Sequence, residues 1–184
     1  MIMAGYLLSK AQFIDARKPK EDAAVLVEAR NNRNTGVPSQ GITVFLSHKH
    51  DEVAVLEDVI CMLKNLGVFV YVDWLDEGMP KNTNGYTAHR IKQKIKDCKK
   101  FILLATEGAI ASKWCNWELG YGDAQKYLNN IAIMPITEKR RDGFSGSEYL
   151  QIYPVIKTDY EYIVTGCYVE FKGERKSLIE WLQQ

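Results

Sequence analysis

Residues 112–126 read SKWCNWELGYGDAQK, with two tryptophans and a glutamate close together. Trp114 and Glu118 are four apart, so on a helix they share a face about one turn from each other. Trp117 and Tyr121 repeat that spacing on a neighbouring face. A helix face made only for the core would carry an apolar residue four places after Trp114, and here that place holds a carboxylate. An aromatic plate beside an acid suits a nucleotide: the ring stacks, and the carboxylate holds hydroxyls or stabilises positive charge on a sugar. On this reading Trp114 walls a pocket and is partly exposed, while Trp117 belongs to the core. Gly120 and Gly122 lie in the same run, each costing a helix interior about 1 kcal/mol relative to Ala. They fit a helix that must approach a sheet closely.

Two other segments carry chemistry-bearing residues. In SHKHDE, residues 47–52, His48, His50 and Asp51 invite a metal reading. The acid comes one place early for an H-x-H-x-D-H pattern, and His89, the remaining histidine, leaves a second ion without ligands. No metal is therefore expected, and the segment reads as a solvated loop lining a pocket. In DWLDEGMPKNTNG, residues 73–85, Asp73 at a strand end raises the possibility of a phospho-acceptor. Such a domain needs an acidic pair after its first strand and a lysine at a later strand end; this chain has His48–Lys49 and Pro135 there. The loop is better read as a lid over a pocket.

The elements that position these residues alternate. ITVFLS (42–47), VFVYVD (68–73), FILLA (101–105) and IAIMPI (131–136) are short apolar runs with the length of buried strands. Between the first two, Val55, Leu56, Val59, Leu63 and Leu66 recur at helical spacing, with Asp51 placed as N-cap and Gly67 just past the end. TAHRIKQKIKDC is amphipathic through Ile91 and Ile95, and the opening stretch supplies the third helix. Strands alternating with helices predict an α/β fold, a central parallel sheet with helices on both faces. Sites on such sheets lie beyond the carboxyl ends of the strands. That rule gathers SHKHDE, the 73–85 loop and TEGAIASKW, with Glu118 in the first turns of the helix that follows. Towards the end, YIVTGCYVEF reads as strand and ERKSLIEWLQQ as a closing helix.

The breaker-rich NNRNTGVPSQG, residues 31–41, marks a boundary. Residues 1–40 read as an N-terminal helical extension and linker, with short helices over 4–17 and 20–30, and residues 41–184 as the main domain. At 184 residues, 46% hydrophobic and 26% charged, the chain suffices for one sizeable core. A net charge of +1 gives no bias towards nucleic acid or an anionic membrane. Four cysteines without a C-x-x-C pair suit reduced thiols in a cytoplasmic protein. The amino terminus lacks the basic and apolar regions of a signal peptide, and no segment approaches the ~18 apolar residues of a membrane span.

Together, ITVFLSHKHDE, VYVDWLDEGMP, IKQKIKDCKKFILLAT and SKWCNWELGYGDAQK resemble a Toll/interleukin-1 receptor (TIR) domain of the bacterial kind, over about residues 41–140. The W-x-x-x-E motif, Trp114 to Glu118, is that family's enzymatic signature. The resemblance implies a flavodoxin-like fold and cleavage of NAD at the nicotinamide–ribose bond, with NAD as substrate and no cofactor. It implies that Glu118 is catalytic and that Trp114 shapes the pocket. His48, Lys49 and His50 would face the dinucleotide, and Asp76 or Glu77 would open the loop before Gly78. It further implies self-association between TIR domains and, by analogy with Thoeris-type anti-phage systems, a separate effector that responds to the product. The rivals are a TIR scaffold acting only by self-assembly and another nucleotide-processing enzyme such as a nucleoside transferase.

The chemistry stands on its own terms. Ordinary glycoside cleavage uses two carboxyl groups because the leaving oxygen must be protonated. Nicotinamide in NAD is already a pyridinium and leaves neutral, so one carboxylate suffices to stabilise the oxocarbenium-like ribose. Capture by water gives ADP-ribose; capture by an atom of the same nucleotide gives a cyclic isomer.

Overall fold

Apolar, β-branched runs of four to seven residues can bury both faces only inside a sheet that helices cover on both sides. The computed structural model describes residues 6–10, 12–13, 41–73, 85–137, 148–159 and 166–184. Its strands are β1 (Leu8–Ser9), β2 (Ile42–Ser47), β3 (Val68–Tyr71), β4 (Lys100–Ala105), β5 (Ile131–Thr137), β6 (Val155–Thr158), β7 (Cys167–Phe171) and β8 (Glu174–Ser177). Its helices are α1 (Val53–Asn65), α2 (Gly85–Asp97), α3 (Glu107–Ala111), α4 (Lys113–Gln125) and α5 (Leu178–Gln183). The sheet runs β3-β2-β4-β5-β6-β7-β8. The first five of these strands pair in parallel, and β7 and β8 close the far edge antiparallel. Counting the parallel strands from β2, the order is 2-1-3-4-5, the flavodoxin-like arrangement.

Alternation along the strands sorts side chains onto two faces. Val44, Leu46, Ile102 and Leu104 join one apolar cluster with Val59 and Leu63 of α1 and Leu178 and Leu182 of α5. Phe45, Phe101 and Leu103 join the other with Ile91 and Ile95 of α2 and Cys115 and Leu119 of α4. On that second face Phe45 stacks between Tyr71 and Phe101, with centroids 5.5 Å away in each case. Each such fully buried side chain contributes about 1.5–3 kcal/mol.

Gly122 of α4 sits against this stack. A Cβ there would lie 3.1 Å from the Phe101 ring, so this glycine lets the helix approach the sheet as its spacing suggests. Gly120 has nothing within 4 Å of a built Cβ and is exposed; no packing contact explains it. At the end of α1, Gly67 takes φ +76°, and its N–H reaches back to Lys64 O at 2.8 Å. Its place past the helix end is as expected. The N-cap position belongs to Glu52, not Asp51, and makes no side-chain cap bond, because Glu52 is committed to Thr106 and Asp51 to Lys49.

Three stretches depart from expectation. Within 4–17, Leu8–Ser9 is a strand, parallel to β5 at Ile136–Thr137, and Tyr6 bridges Thr158. Among the described residues of this stretch, helix begins at Lys10. The predicted helix over 20–30 lies outside the described residues. ERKS, read as the start of the last helix, is strand β8 paired with β7, and the helix starts at Leu178 behind a Ser177–Glu180 capping box. Val155–Thr158 is a strand the pattern did not reveal. Among the described residues, no helix is long and apolar enough to cross a membrane.

Candidate active site

The connection from β2 leads to β3 on one side, while β4 lies on the other, so the crevice at the carboxyl end of β2 is a topological switch point. The chemistry-bearing side chains meet there. Ser47 ends β2 two residues after Phe45 and therefore faces the α2/α4 side. Two caps set the approach of α4. Thr106 at the end of β4 accepts from Ala109 N–H at 3.0 Å to start α3, and Ser112 accepts from Cys115 N–H at 3.3 Å to start α4. The second turn of α4 then brings Glu118 over the strand ends, where Ser47 Oγ donates to Glu118 Oε2 at 2.5 Å.

Glu118 is 2% exposed. Its pKa is pushed up to about 8, first by burial and then by the negative charge of Asp73; hydrogen bonds from Ser47 and Trp114 oppose the rise. Trp114 lies one helical turn before Glu118 on α4. Trp114 is half-buried, as expected of a pocket wall. Trp117 is half-buried too, contrary to its expected place in the core. It stacks on Trp114 with centroids 4.8 Å apart, and on Tyr121 at 6.2 Å, forming an aromatic ridge. The buried positions of α4 are Cys115, Glu118, Leu119 and Gly122; among the described tryptophans the buried one is Trp181 of α5.

The loop after β2 is held from two sides. Cys115 Sγ donates to His48 O at 3.2 Å, and Glu52 accepts from the Thr106 hydroxyl. His48 is 3% exposed, with Nδ1 3.2 Å from Leu46 O. Burial lowers its pKa against the opposing pull of Asp73. His50 Nε2 lies 2.9 Å from Asp73 Oδ2, and this hydrogen bond raises the His50 pKa. Lys49 Nζ pairs with Asp51 Oδ2 at 3.0 Å, which raises the lysine pKa and lowers the aspartate's.

Glu118, Trp114 and the His48–His50 loop thus share one end of the sheet. Asp76 and Glu77 lie outside the described residues. The acid that joins the two histidines is Asp73, not Asp51: the ligand atoms of His48, His50 and Asp73 all lie within 4.8 Å of one another. Sequence reasoning passed over Ser47 and Cys115 and dismissed Asp73. Strand parity was the available signal for Ser47, since it shares a face with Phe45. Asp73 meets the histidines only through the pairing of β2 with β3.

Comparison with known proteins shows the family. The family model described as TIR domain matches residues 44–161, well over half of the chain. The chain is 28% identical over 147 residues to "Probable 3' cyclic ADP-D-ribose synthase ThsB'" of Bacillus cereus (strain MSX-D12), covering 77% of this chain and 75% of that protein. It is 26% identical over 98 residues to "Putative cyclic ADP-D-ribose synthase TIR2" of Cytobacillus dafuensis, covering 52% of this chain and 25% of that protein. With its sheet order, its W-x-x-x-E helix and the model matched along most of its length, the chain belongs to the TIR-domain family.

Proposed function

We propose that this protein cleaves the nicotinamide–ribose bond of NAD and closes the ADP-ribosyl product into a cyclic isomer. The observation that carries the reading is Glu118, a buried carboxyl held by Ser47 one helical turn from Trp114, at the switch point of a TIR domain. The names of the two relatives favour the cyclic product over linear ADP-ribose.

The geometry supports the following chemistry. Nicotinamide enters as a cation beside the half-buried Trp114–Trp117 ridge, which stacks and screens it from water. Its positive charge favours the Glu118 carboxylate, offsetting the burial and the Asp73 charge that disfavour it. The C1′–N bond breaks, and the electron pair leaves with neutral nicotinamide. Glu118 stabilises the positive charge left on the ribose, with Ser47 fixing the position of its carboxyl. A hydroxyl or adenine nitrogen of the same nucleotide then attacks C1′; a hydroxyl loses its proton as the new bond forms. His48, Lys49 and His50 line the approach, and Asp76, outside the described residues, contributes to substrate binding.

The same reading includes self-association between TIR domains, a partner effector that responds to the cyclic nucleotide, and a cytoplasmic setting where NAD is at hand. Incubating the purified chain with NAD and separating the products tests the reading. Nicotinamide in equal amount to a cyclic ADP-ribose isomer is expected. Nicotinamide with linear ADP-ribose alone would reduce the enzyme to a glycohydrolase. No nicotinamide at any protein concentration would leave a scaffold.

A further inference from the structure

His48 poses a problem that the NAD reaction does not solve. Its Nδ1 faces Leu46 O at 3.2 Å, and a carbonyl oxygen only accepts, so Nδ1 carries the proton. In neutral His48 the lone pair therefore sits on Nε2. That atom is buried with no hydrogen-bond partner and lies 3.9 Å from Asp73 Oδ1. The unpartnered Nε2 of His48 thus points its lone pair towards a carboxylate oxygen, and leaving such a buried acceptor unpaired costs free energy. A proton on Nε2 would gain attraction from Asp73 at 3.9 Å but no hydrogen bond, and burial disfavours the charged ring.

We propose that His48 Nε2, His50 Nε2 and Asp73 bind one divalent transition-metal ion, with zinc the best match. An imidazole that donates its other ring N–H to a backbone carbonyl is the usual arrangement of a metal-ligating histidine. With metal–ligand bonds of about 2.0–2.2 Å, neighbouring donors of a tetrahedral zinc site stand roughly 3.3–3.6 Å apart. The separations of 3.9 Å for His48–Asp73 and 2.9 Å for His50–Asp73 bracket that range, and all three ligand atoms lie within 4.8 Å. Two imidazoles and a carboxylate form a borderline nitrogen–oxygen set, which suits zinc over calcium or magnesium. The His50 side chain is 57% exposed, so an ion has a way in. On binding, the proton leaves His50 Nε2, passing to solvent from the imidazolium or moving to Nδ1 in the neutral ring. Three protein ligands leave a fourth position for water or a substrate oxygen. The ion would pin the end of β3 to the loop after β2.

The site borders the crevice assigned to NAD, so its test reads metal binding alone and does not depend on NAD turnover. The full chain, stripped with chelator, is titrated calorimetrically with zinc chloride, and separately with cobalt(II) followed by visible absorption. One equivalent of zinc is expected, with the intense ligand-field bands of tetrahedral cobalt. His50→Ala, at an exposed position, should weaken zinc at least tenfold while leaving the circular dichroism unchanged. Asp73→Asn should do the same if it folds. Absence of binding by the wild type, unchanged binding by His50→Ala, or cobalt–thiolate absorption pointing to a cysteine site would each overturn the proposal.

Discussion

Glu118 costs the fold stability in a way that pH exposes. Its pKa rises from 4.5 to about 8 on folding, so between those values the folded state holds more protons than the unfolded one. Stability contributed by this group is therefore lost as pH rises from about 4.5 to 8. Glu118→Gln removes the titration and keeps an acceptor for Ser47. With chelator present, its melting temperature should gain on the wild type as pH rises from 5 to 8; a constant difference would show an ordinary carboxylate. The free enzyme needs the ionised form, so kcat/KM for NAD should climb with pH and level off above about 8. Trp114 and Trp117 form the second residue-scale test. Both are half-buried, so alanine at either should cost well under the ~3–5 kcal/mol of a core tryptophan. Trp114→Ala, which strips the aromatic wall one helical turn from Glu118, should lose most of the activity, read as nicotinamide release beside the melting temperature. The W-x-x-x-E spacing made this pairing legible. The role of Trp117 was not, because a pattern cannot tell a ring stacked on its neighbour from a ring packed in the core.

Helix α4 separates two glycines that the sequence could not distinguish. At exposed Gly120 nothing blocks a methyl group, so Gly120→Ala should stabilise by about 0.5–1 kcal/mol. At Gly122 the added Cβ meets Phe101, which is fully buried and stacked on Phe45. Gly122→Ala should therefore destabilise, with denaturant midpoints moving in opposite directions for the two variants. The same contrast explains which elements could be read. β2, β4 and β5 bury nearly every residue and so announce themselves as apolar runs. β8 is ERKS, almost entirely exposed, and exists because β7 pairs with it. β1 has two residues and is a strand only through the edge of β5. Such elements are fixed by pairing, which leaves no periodicity in the local sequence.

At the scale of the whole molecule, the parallel order brings three separate strand ends to one crevice. Alternation made that architecture predictable, but which acid would stand beside His48 depended on register: β2 pairs Phe45 with Tyr71, two residues before Asp73. Asp51 is nearer in sequence and turns instead to Lys49. If a neighbouring copy completes the pocket, specific activity should rise with protein concentration; a constant rate from a proven monomer would place the whole site within one chain. The account rests most heavily on one carboxyl group. The direct measurement is nicotinamide released from NAD by the wild type and by Glu118→Gln, at equal concentration and with matching circular dichroism. Steady release by the wild type and a loss of at least a hundredfold in the folded Gln variant are predicted. Equal turnover by the two proteins would contradict the assignment of Glu118 and of this crevice as the active site.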